Sequence, residues 1–116
     1  MLRTLALGLA FSVGATAAVL AHHGWGSYDA SKTVVVEGPI EASNYSNPHA
    51  TITVKGADKT WTVTLAPTSR MTSRGAVLDL LAVGKTVSAY GYPSTVEKDE
   101  MRAERITVDG KTYEMR

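Results

Sequence analysis

The sequence predicts a small all-β domain whose strands close into a barrel and which contains little helix. Short runs rich in β-branched and aromatic residues recur along the chain, and most of them alternate apolar with polar residues. Glycine, proline and short polar turns separate the runs, and one stretch between the third and fourth runs changes to a helical period. Alternation at a period of two is typical of strands with one covered face, so each run is predicted to be a strand.

The first predicted strand extends from Lys32 to Tyr45. It opens with a β-branched run at positions 33–36 and continues through Gly38-Pro39. Proline cannot donate to a sheet ladder and glycine permits a bend. We therefore expect a long strand that is broken or bulged at Gly38-Pro39.

The second and third predicted strands form a hairpin. Residues 51–55 and 61–65 both alternate, and the polar turn 56–59 joins them. Threonines occupy one face of the hairpin, which is expected to meet water. The residues expected to face the core are Ile52, Val54, Trp61, Val63 and Leu65.

A short helix is predicted between the third and fourth strands. Pro67 ends the third strand, and the helical period runs from Thr68 to Leu81, with Gly84 closing the segment. The apolar stripe of this helix is expected to be formed by Val77, Leu78 and Leu81, preceded by a turn around residues 69–72. Gly75 lowers the helix propensity, so packing of the stripe must stabilise the helix.

Two or three further strands complete the domain. Residues 85–92 alternate and stop at Pro93, residues 101–108 form the next run, and Asp109-Gly110 makes a tight turn into residues 111–115. A bent first strand, a helix after the third strand and five to six strands in all are typical of an OB-like Greek-key barrel. A small β-sandwich is the alternative, but seven strands and inter-sheet landmarks are not evident.

The first 21 residues are predicted to be a secretory signal peptide. Arg3 supplies the positive charge, Leu5 to Val13 forms an apolar core, and Val19-Leu20-Ala21 offers small residues for cleavage after Ala21. Cleavage after Ala17 and an uncleaved membrane anchor are the alternatives, since the apolar stretch approaches the roughly 17–25 residues that span a bilayer. The absence of cysteine suits a bacterial periplasm.

The predicted organisation is therefore a signal peptide at 1–21, an N-terminal arm at 22–31 that is extended, and a barrel domain at 32–116. The expected location is periplasmic or secreted from a bacterium, with no stable membrane anchor after cleavage. Removing Arg3 leaves 11 basic and 11 acidic side chains, because the whole chain has 12 and 11. This balance disfavours nucleic acid as a partner. No nucleophile elbow and no carboxylate pair is evident, so no enzymatic activity is predicted.

Two of the three histidines, His22 and His23, follow the predicted cleavage point directly. Cleavage after Ala21 gives His22 a free α-amine, and an amine with a pKa of about 8 and an imidazole with a pKa of about 6.5 can both be neutral ligands. Such nitrogen ligands suit Cu(II). If the arm folds back onto the corner before the hairpin, His49 is the third metal ligand. The alternative is that these histidines are solvated arm and turn residues.

The candidate residues for binding a small ligand or a protein on the barrel face are Trp25, Tyr45, Asn47, Tyr90 and Tyr92. For the arm the simpler alternative is that Trp25 and Tyr28 are apolar side chains that hold it against the barrel. Trp61 is interpreted as a core residue. Methionines are scattered and are assigned no site.

The motifs His22-His23-Gly24-Trp25 and Asn47-Pro48-His49-Ala50 resemble a family of small exported bacterial proteins known only as a domain of unknown function. Members read His-His-Ser near the mature start and Asn-Pro-His at the corner, and this chain has Gly24 in place of that serine. The resemblance implies export and an OB-like barrel, supplies no established activity, and draws attention to the same three histidines. The sequence therefore predicts a small exported binding protein, with copper as one ligand and a structural or interaction module as the alternative.

Overall fold

The computed structural model describes residues 24–116. Within them the chain forms six strands, one α-helix and two short 3-10 helices. The strands are β1 (Val34–Asn44), β2 (Thr51–Lys55), β3 (Thr60–Thr64), β4 (Thr86–Pro93), β5 (Glu100–Val108) and β6 (Lys111–Glu114). The helix α1 (Thr68–Ser73) lies between β3 and β4, and the 3-10 helices are Trp25–Ser27 and Leu78–Leu81.

The sheet closes on itself and confirms the predicted OB-like barrel. The strands follow the order β3-β2-β1-β4-β5-β6, and an additional parallel pairing joins β3 to β5. This pairing closes a barrel of five strands, with β6 as an extra strand and one short helix between β3 and β4. Closure leaves β3 and β5 no free edge where they pair, from Thr62–Glu100 to Thr64–Arg102.

Strand β1 is shared between two neighbours, and its bulge lies later than predicted. Residues 34–39 pair with β4, while residues 40–44 pair with β2, and the register shifts between Ile40 and Ala42. The prediction of a break at Gly38-Pro39 is therefore wrong. Gly38 serves a different purpose, because a Cβ at this position would overlap the carbonyl oxygen of Lys55.

The hairpin of β2 and β3 is present as predicted, with Thr51 opposite Thr64 and Lys55 opposite Thr60. Four of the five residues expected to face the core are fully buried: Ile52, Val54, Val63 and Leu65. Trp61 is half-buried, packs against the core and lies under the Lys59 ammonium group, which is 4.1 Å from the ring centroid.

The helix between β3 and β4 begins earlier than the apolar stripe indicated. Helix α1 spans Thr68–Ser73 and buries Met71, and Gly75 then adopts a positive φ of 86° that ends it. The predicted stripe falls on the following 3-10 turn, where Leu81 is buried but Val77 and Leu78 are 43% and 53% exposed. The stripe was wrong because two of its three residues meet water, so they could not stabilise a helix by packing.

A second bulge divides β5 into two halves. Tyr90 pairs with Arg105 and Gly91 with Ala103, so Glu104 is the extra residue. Side chains alternate strictly in a regular strand, and residues three apart would point to opposite faces. The bulge lets Ala103 and Ile106 both enter the core, and it leaves Arg102 and Arg105 both on the outer face.

The core fills the barrel interior with aliphatic residues from all of β1 to β5, together with Leu65, Met71, Leu81 and Met115. Burial of these side chains is the main source of stability, at about 25 cal/mol for each Å² of apolar surface. In the described part of the chain, no helix is long and apolar enough to cross a membrane.

Candidate functional site

The N-terminal arm lies across the end of the barrel. The prediction of an extended arm is wrong at Trp25–Ser27, which form a 3-10 turn. Tyr28 then bridges to Ser94, and backbone bonds from Asp29 N to Pro93 O (3.0 Å) and from Thr95 N to Ser27 O (2.9 Å) hold the arm on the β4–β5 loop. These bonds fix where the two aromatic side chains of the arm can lie.

Trp25 contacts two guanidinium groups. The Arg102 Cζ lies 4.1 Å and the Arg116 Cζ 4.6 Å from its ring centroid. Tyr28 and Tyr92 contact the same indole edge to face, with centroids 6.3 and 6.2 Å away. A cation over an indole face is attracted by the ring quadrupole, and the attraction grows as water is excluded. Trp25 thus acts as the apolar anchor of the arm and as a cover for Arg102.

Glu100 joins the arm to the β3–β5 seam. Its Oε2 accepts hydrogen bonds from the Tyr28 hydroxyl (2.6 Å) and from the Thr64 hydroxyl (2.7 Å). Burial, together with the hydrogen bond to Glu100 and the negative charge of that carboxylate, raises the pKa of Tyr28 to about 12. The phenol is therefore held in its protonated, donating form across the ordinary pH range.

Arg102 is the buried charge of this region. Only 5% of the residue is exposed, and none of the ion pairs within residues 24–116 includes it. Its Nε is buried without a hydrogen-bond partner among the described residues. Burial lowers the pKa of the Arg102 guanidinium and the charges of Arg70 and Arg116 lower it as well, while Tyr28 and the negative charge of Glu100 raise it. A buried charge without a direct ion pair is rare in proteins and costs free energy.

His49 receives the one side-chain hydrogen bond that Arg102 makes among these residues, with Nη2 3.1 Å from Nε2. A guanidinium carries donors and no acceptor, so Nε2 must accept and the ring proton must sit on Nδ1. This contact assigns a neutral Nδ1–H imidazole to His49. In that tautomer the Nε2 lone pair is occupied by Arg102 and is not available to a metal.

The corner that carries His49 is fixed by polar contacts with α1. The Asn47-Pro48 peptide bond is cis, and Asn47 Oδ1 accepts a hydrogen bond from the Thr68 hydroxyl (3.1 Å). The Tyr45 hydroxyl bonds to Thr72 Oγ1 (2.8 Å) and to the carbonyl oxygen of Ala76 (3.0 Å). These bonds tie β1, the corner and the helix together beside the histidine.

These elements enclose a pocket of about 210 Å³, which we call the arm pocket. Its walls come from the arm, the β1–β2 corner, the β3–β5 seam and the β4–β5 loop. The residues that line it include Tyr28, His49, Thr64, Ser94, Glu97, Glu100 and Arg102. In OB barrels the β1–β2 and β4–β5 connections flank the face that binds ligands, and the arm pocket lies between these two connections.

The predicted site residues are distributed unevenly around this pocket. His49 lines it, whereas Tyr45 and Asn47 are bonded to α1 and do not line it. Tyr92 contacts Trp25, and Tyr90 contacts Tyr92 on the outer face of β4. His22 and His23 lie outside the described residues, as does the predicted signal peptide. Within residues 24–116 no group of three or more His, Cys, Asp or Glu side chains is arranged to hold a metal.

Sequence reasoning missed Arg102, Glu100 and Thr64. All three lie on strands whose alternating pattern indicated only a sheet with a wet face. Their role depends on the arm, which is distant in sequence, and on the parallel pairing of β3 with β5. One available signal was Glu100, the first residue of β5, but its partners Tyr28 and Thr64 could not be paired with it from spacing.

Solved structures with a similar fold share little sequence with this chain. A ZRD-deleted mutant of TiaS in complex with agmatine gives a TM-score of 0.54 at 18% identity, covering 75% of this chain and 27% of that one. A TiaS–tRNA–ATP complex gives 0.51 at 17%, covering 69% and 18%. The S. pombe Stn1–Ten1 complex gives 0.53 at 15%, covering 66% and 57%. At these identities the similarity shows the fold alone.

The chain spans less than a third of the TiaS chains that it matches. No curated protein sequence matches it. The family model of DUF6152, described as a family of unknown function, matches residues 10–112, which include the arm, the corner and nearly all of the barrel. The expected resemblance is confirmed, and the chain belongs to this family of unknown function, DUF6152.

Proposed function

We propose that this protein is an exported single-domain binding protein and that its ligand binds in the arm pocket. The observation that carries the proposal is the position of the pocket between the β1–β2 corner and the β4–β5 loop, where OB barrels bind ligands. The arm adds a wall to this pocket through Ser27 and Tyr28. A concave site with a few convergent polar groups suits a small solute better than a flat protein surface.

The pocket combines groups that seldom meet unless they serve a site. Arg102 is buried and forms no ion pair among the described residues, Tyr28 has a raised pKa, and Glu100 receives two hydrogen bonds within the same wall. Perturbed titratable groups cluster at functional sites more often than elsewhere.

An NMR titration tests the proposal. The isotope-labelled protein would be titrated in parallel with small hydroxy acids, free amino acids and simple sugars. We expect at least one class to shift the backbone amides of His49, Ser94 and Arg102, while Thr112 on β6 serves as the control amide. Shifts confined to other surfaces, or no shifts from any class, would contradict the proposal.

Copper is a second candidate ligand, favoured by the path of the arm. Gly24, the first described residue, directly follows His23, and the arm then supplies Tyr28 to the wall that also contains His49. Each residue spans at most about 3.6 Å, so only a short length of chain separates His23 from the pocket. The α-amine and imidazole of His22, with His23, form the proposed chelate, and His49 joins it only if its Nε2 exchanges Arg102 for the metal.

Two versions of the protein distinguish this chelate from nonspecific binding. Cu(II) would be titrated into protein that begins at His22 and into the same protein with its α-amine acetylated. The chelate predicts weaker binding in the acetylated version, because an acetylated nitrogen no longer offers an amine ligand. Equal affinities, or no binding in either version, would exclude the α-amine chelate.

Export is tested by the mass of the protein recovered from the periplasm of an expressing bacterium. The proposal predicts a chain that begins at His22 after cleavage behind Ala21. A mass corresponding to residues 1–116 would contradict cleavage, and a chain beginning at Ala18 would place the cut at the alternative position.

A further inference from the structure

We propose that the arm pocket is a carboxylate site and that Arg102 supplies the positive charge that recognises the ligand. This inference rests on the proposed function, since it names the chemical class of the ligand in the same pocket. The ligand is a small organic acid with one carboxylate and with hydrogen-bond donors at its other end.

Arg102 is a buried charge that forms no ion pair within residues 24–116. The guanidinium is covered by Trp25, and its Nε has no hydrogen-bond partner among those residues. Truly buried arginines are almost always paired, because desolvation of the charge is costly. An anion that enters the pocket would offset this cost, and a planar carboxylate matches the planar donors of a guanidinium.

The donors of the pocket are preorganised for a ligand. The Arg102 guanidinium lies against Trp25 on one face and donates to His49 through Nη2, so its orientation is set before any ligand arrives. Ser94 adds a donor in the same pocket, because its Oγ already accepts bonds from the amides of Val96 (3.1 Å) and Glu97 (2.8 Å). Its hydroxyl hydrogen therefore has no acceptor among the described residues. Little conformational entropy would be lost when these donors bind a carboxylate.

The other charged groups of the pocket restrict the charge that the far end of the ligand can carry. Glu97 and Glu100 also line the pocket, and they repel a second negative charge. Hydroxyl or ammonium groups at the far end of the ligand would instead donate to these carboxylates. The pocket therefore fits a hydroxy acid or an amino acid and disfavours a dicarboxylate.

Lactate and its neutral amide, lactamide, form the decisive pair of probes, because they differ in charge and little in shape. Binding would be followed at constant ionic strength by NMR and by the fluorescence of Trp25 in a Trp61→Phe background. We expect lactate to bind at millimolar concentrations and lactamide at least about tenfold more weakly, a difference of about 1.4 kcal/mol. Succinate is expected to bind more weakly than lactate.

The Arg102→Gln variant is expected to lose lactate binding by at least tenfold, whereas Arg105→Gln, on the same strand and face, leaves it unchanged. Circular dichroism checks the folding of both variants. If Arg102→Gln fails to fold, the comparison of lactate with lactamide in the parent protein still tests whether the pocket recognises a carboxylate.

Equal binding of lactate and lactamide in the pocket would overturn the carboxylate assignment and leave the proposed function intact. Retained lactate binding in a folded Arg102→Gln variant would also overturn it. If sugars, amino acids, lactate and lactamide all leave the pocket amides unshifted, both the inference and the proposed function fall.

Discussion

The two halves of β5 carry chemically similar side chains in different surroundings. The first half, which we call the seam half, pairs with β3 through residues 100–102, and the second, the hairpin half, pairs with β6 through residues 105–108. In the seam half, Arg102 lies against Trp25, is 5% exposed and has no ion pair among the described residues. In the hairpin half, Arg105 lies over Tyr90 at 4.8 Å, its side chain is 43% exposed, and its Nε contacts Glu114 at 3.1 Å. The second arrangement is what a structural surface arginine needs, namely water and a counter-ion.

Contact with an aromatic ring is common to both arginines and does not distinguish them, whereas burial without an ion pair among the described residues distinguishes Arg102. Both arginines contact rings on the outer face of the barrel, and both lie on the same strand. Only Arg102 has been taken out of water by a segment from elsewhere in the chain. Substitutions at or beside one half of β5 can therefore be compared with matched substitutions at the other half.

The largest effect is expected from Gly91→Ala. A Cβ at Gly91 would overlap the carbonyl oxygen of Arg102, at the bulge that separates the two halves of β5. Backbone overlap cannot be relieved by a rotamer change, so we expect a loss of about 3 kcal/mol or more in the free energy of unfolding. Urea denaturation measures the loss. Gly26→Ala, which meets nothing within 4 Å, is the control and should be nearly neutral.

Trp25→Ala is expected to come next. It removes the anchor of the arm and the cover of Arg102, with an expected loss of about 2 kcal/mol. The matched change in the hairpin half, Tyr90→Ala, should cost about 1 kcal/mol, because Arg105 keeps its contact with Glu114. Thermal unfolding of both variants makes the comparison. Equal losses would mean that the arm contributes no more than an ordinary surface aromatic.

Glu100→Gln is expected to destabilise the protein by about 1.5 kcal/mol. The substitution keeps the shape but weakens two charge-assisted hydrogen bonds, from Tyr28 and Thr64. Glu114→Gln affects an exposed pair and should cost less than about 0.5 kcal/mol. Chemical denaturation at neutral pH measures both values. A loss for Glu114→Gln as large as that for Glu100→Gln would remove the contrast between the two halves.

The smallest effect is a pH dependence carried by Tyr28. Its folded-state pKa is about 12 against an ordinary value of 10, so the protonated phenol stabilises the folded state. This contribution is complete below about pH 10 and is lost as the pH rises towards 12, by about 1 kcal/mol after allowance for partial exposure. Stability measured across this window should fall more steeply for the parent protein than for Tyr28→Phe. Parallel curves would contradict the assignment.

The sequence predicted the barrel because its strands keep one face apolar, and alternation survives in β2, β3 and β4 with few exceptions. It placed the irregularity of β1 at Gly38-Pro39 instead of Glu41 and did not predict the bulge at Glu104, since a register shift is set by the partner strand. The helix was misplaced because Val77 and Leu78 have the spacing of an apolar stripe on a helix, although both are exposed in the structure.

The candidate site was only partly predictable. His49 was identified from its corner motif, but the burial of Arg102 results from contacts with an arm that precedes β1. No local pattern around Arg102 distinguishes it from Arg105. Their difference follows from the bulge, from the parallel seam and from Trp25, and each of these is a tertiary feature.

The bond between Arg102 and His49 has a thermodynamic consequence for any pair of ligands. A carboxylate that takes donors from Arg102 and a metal that takes Nε2 of His49 would compete with, or release, the same hydrogen bond. Linkage then requires that each ligand change the affinity for the other by an identical factor. The coupling free energy is obtained by measuring lactate affinity with and without Cu(II), and Cu(II) affinity with and without lactate. The 3.1 Å bond between Arg102 and His49 is the contact through which the two ligands would be coupled.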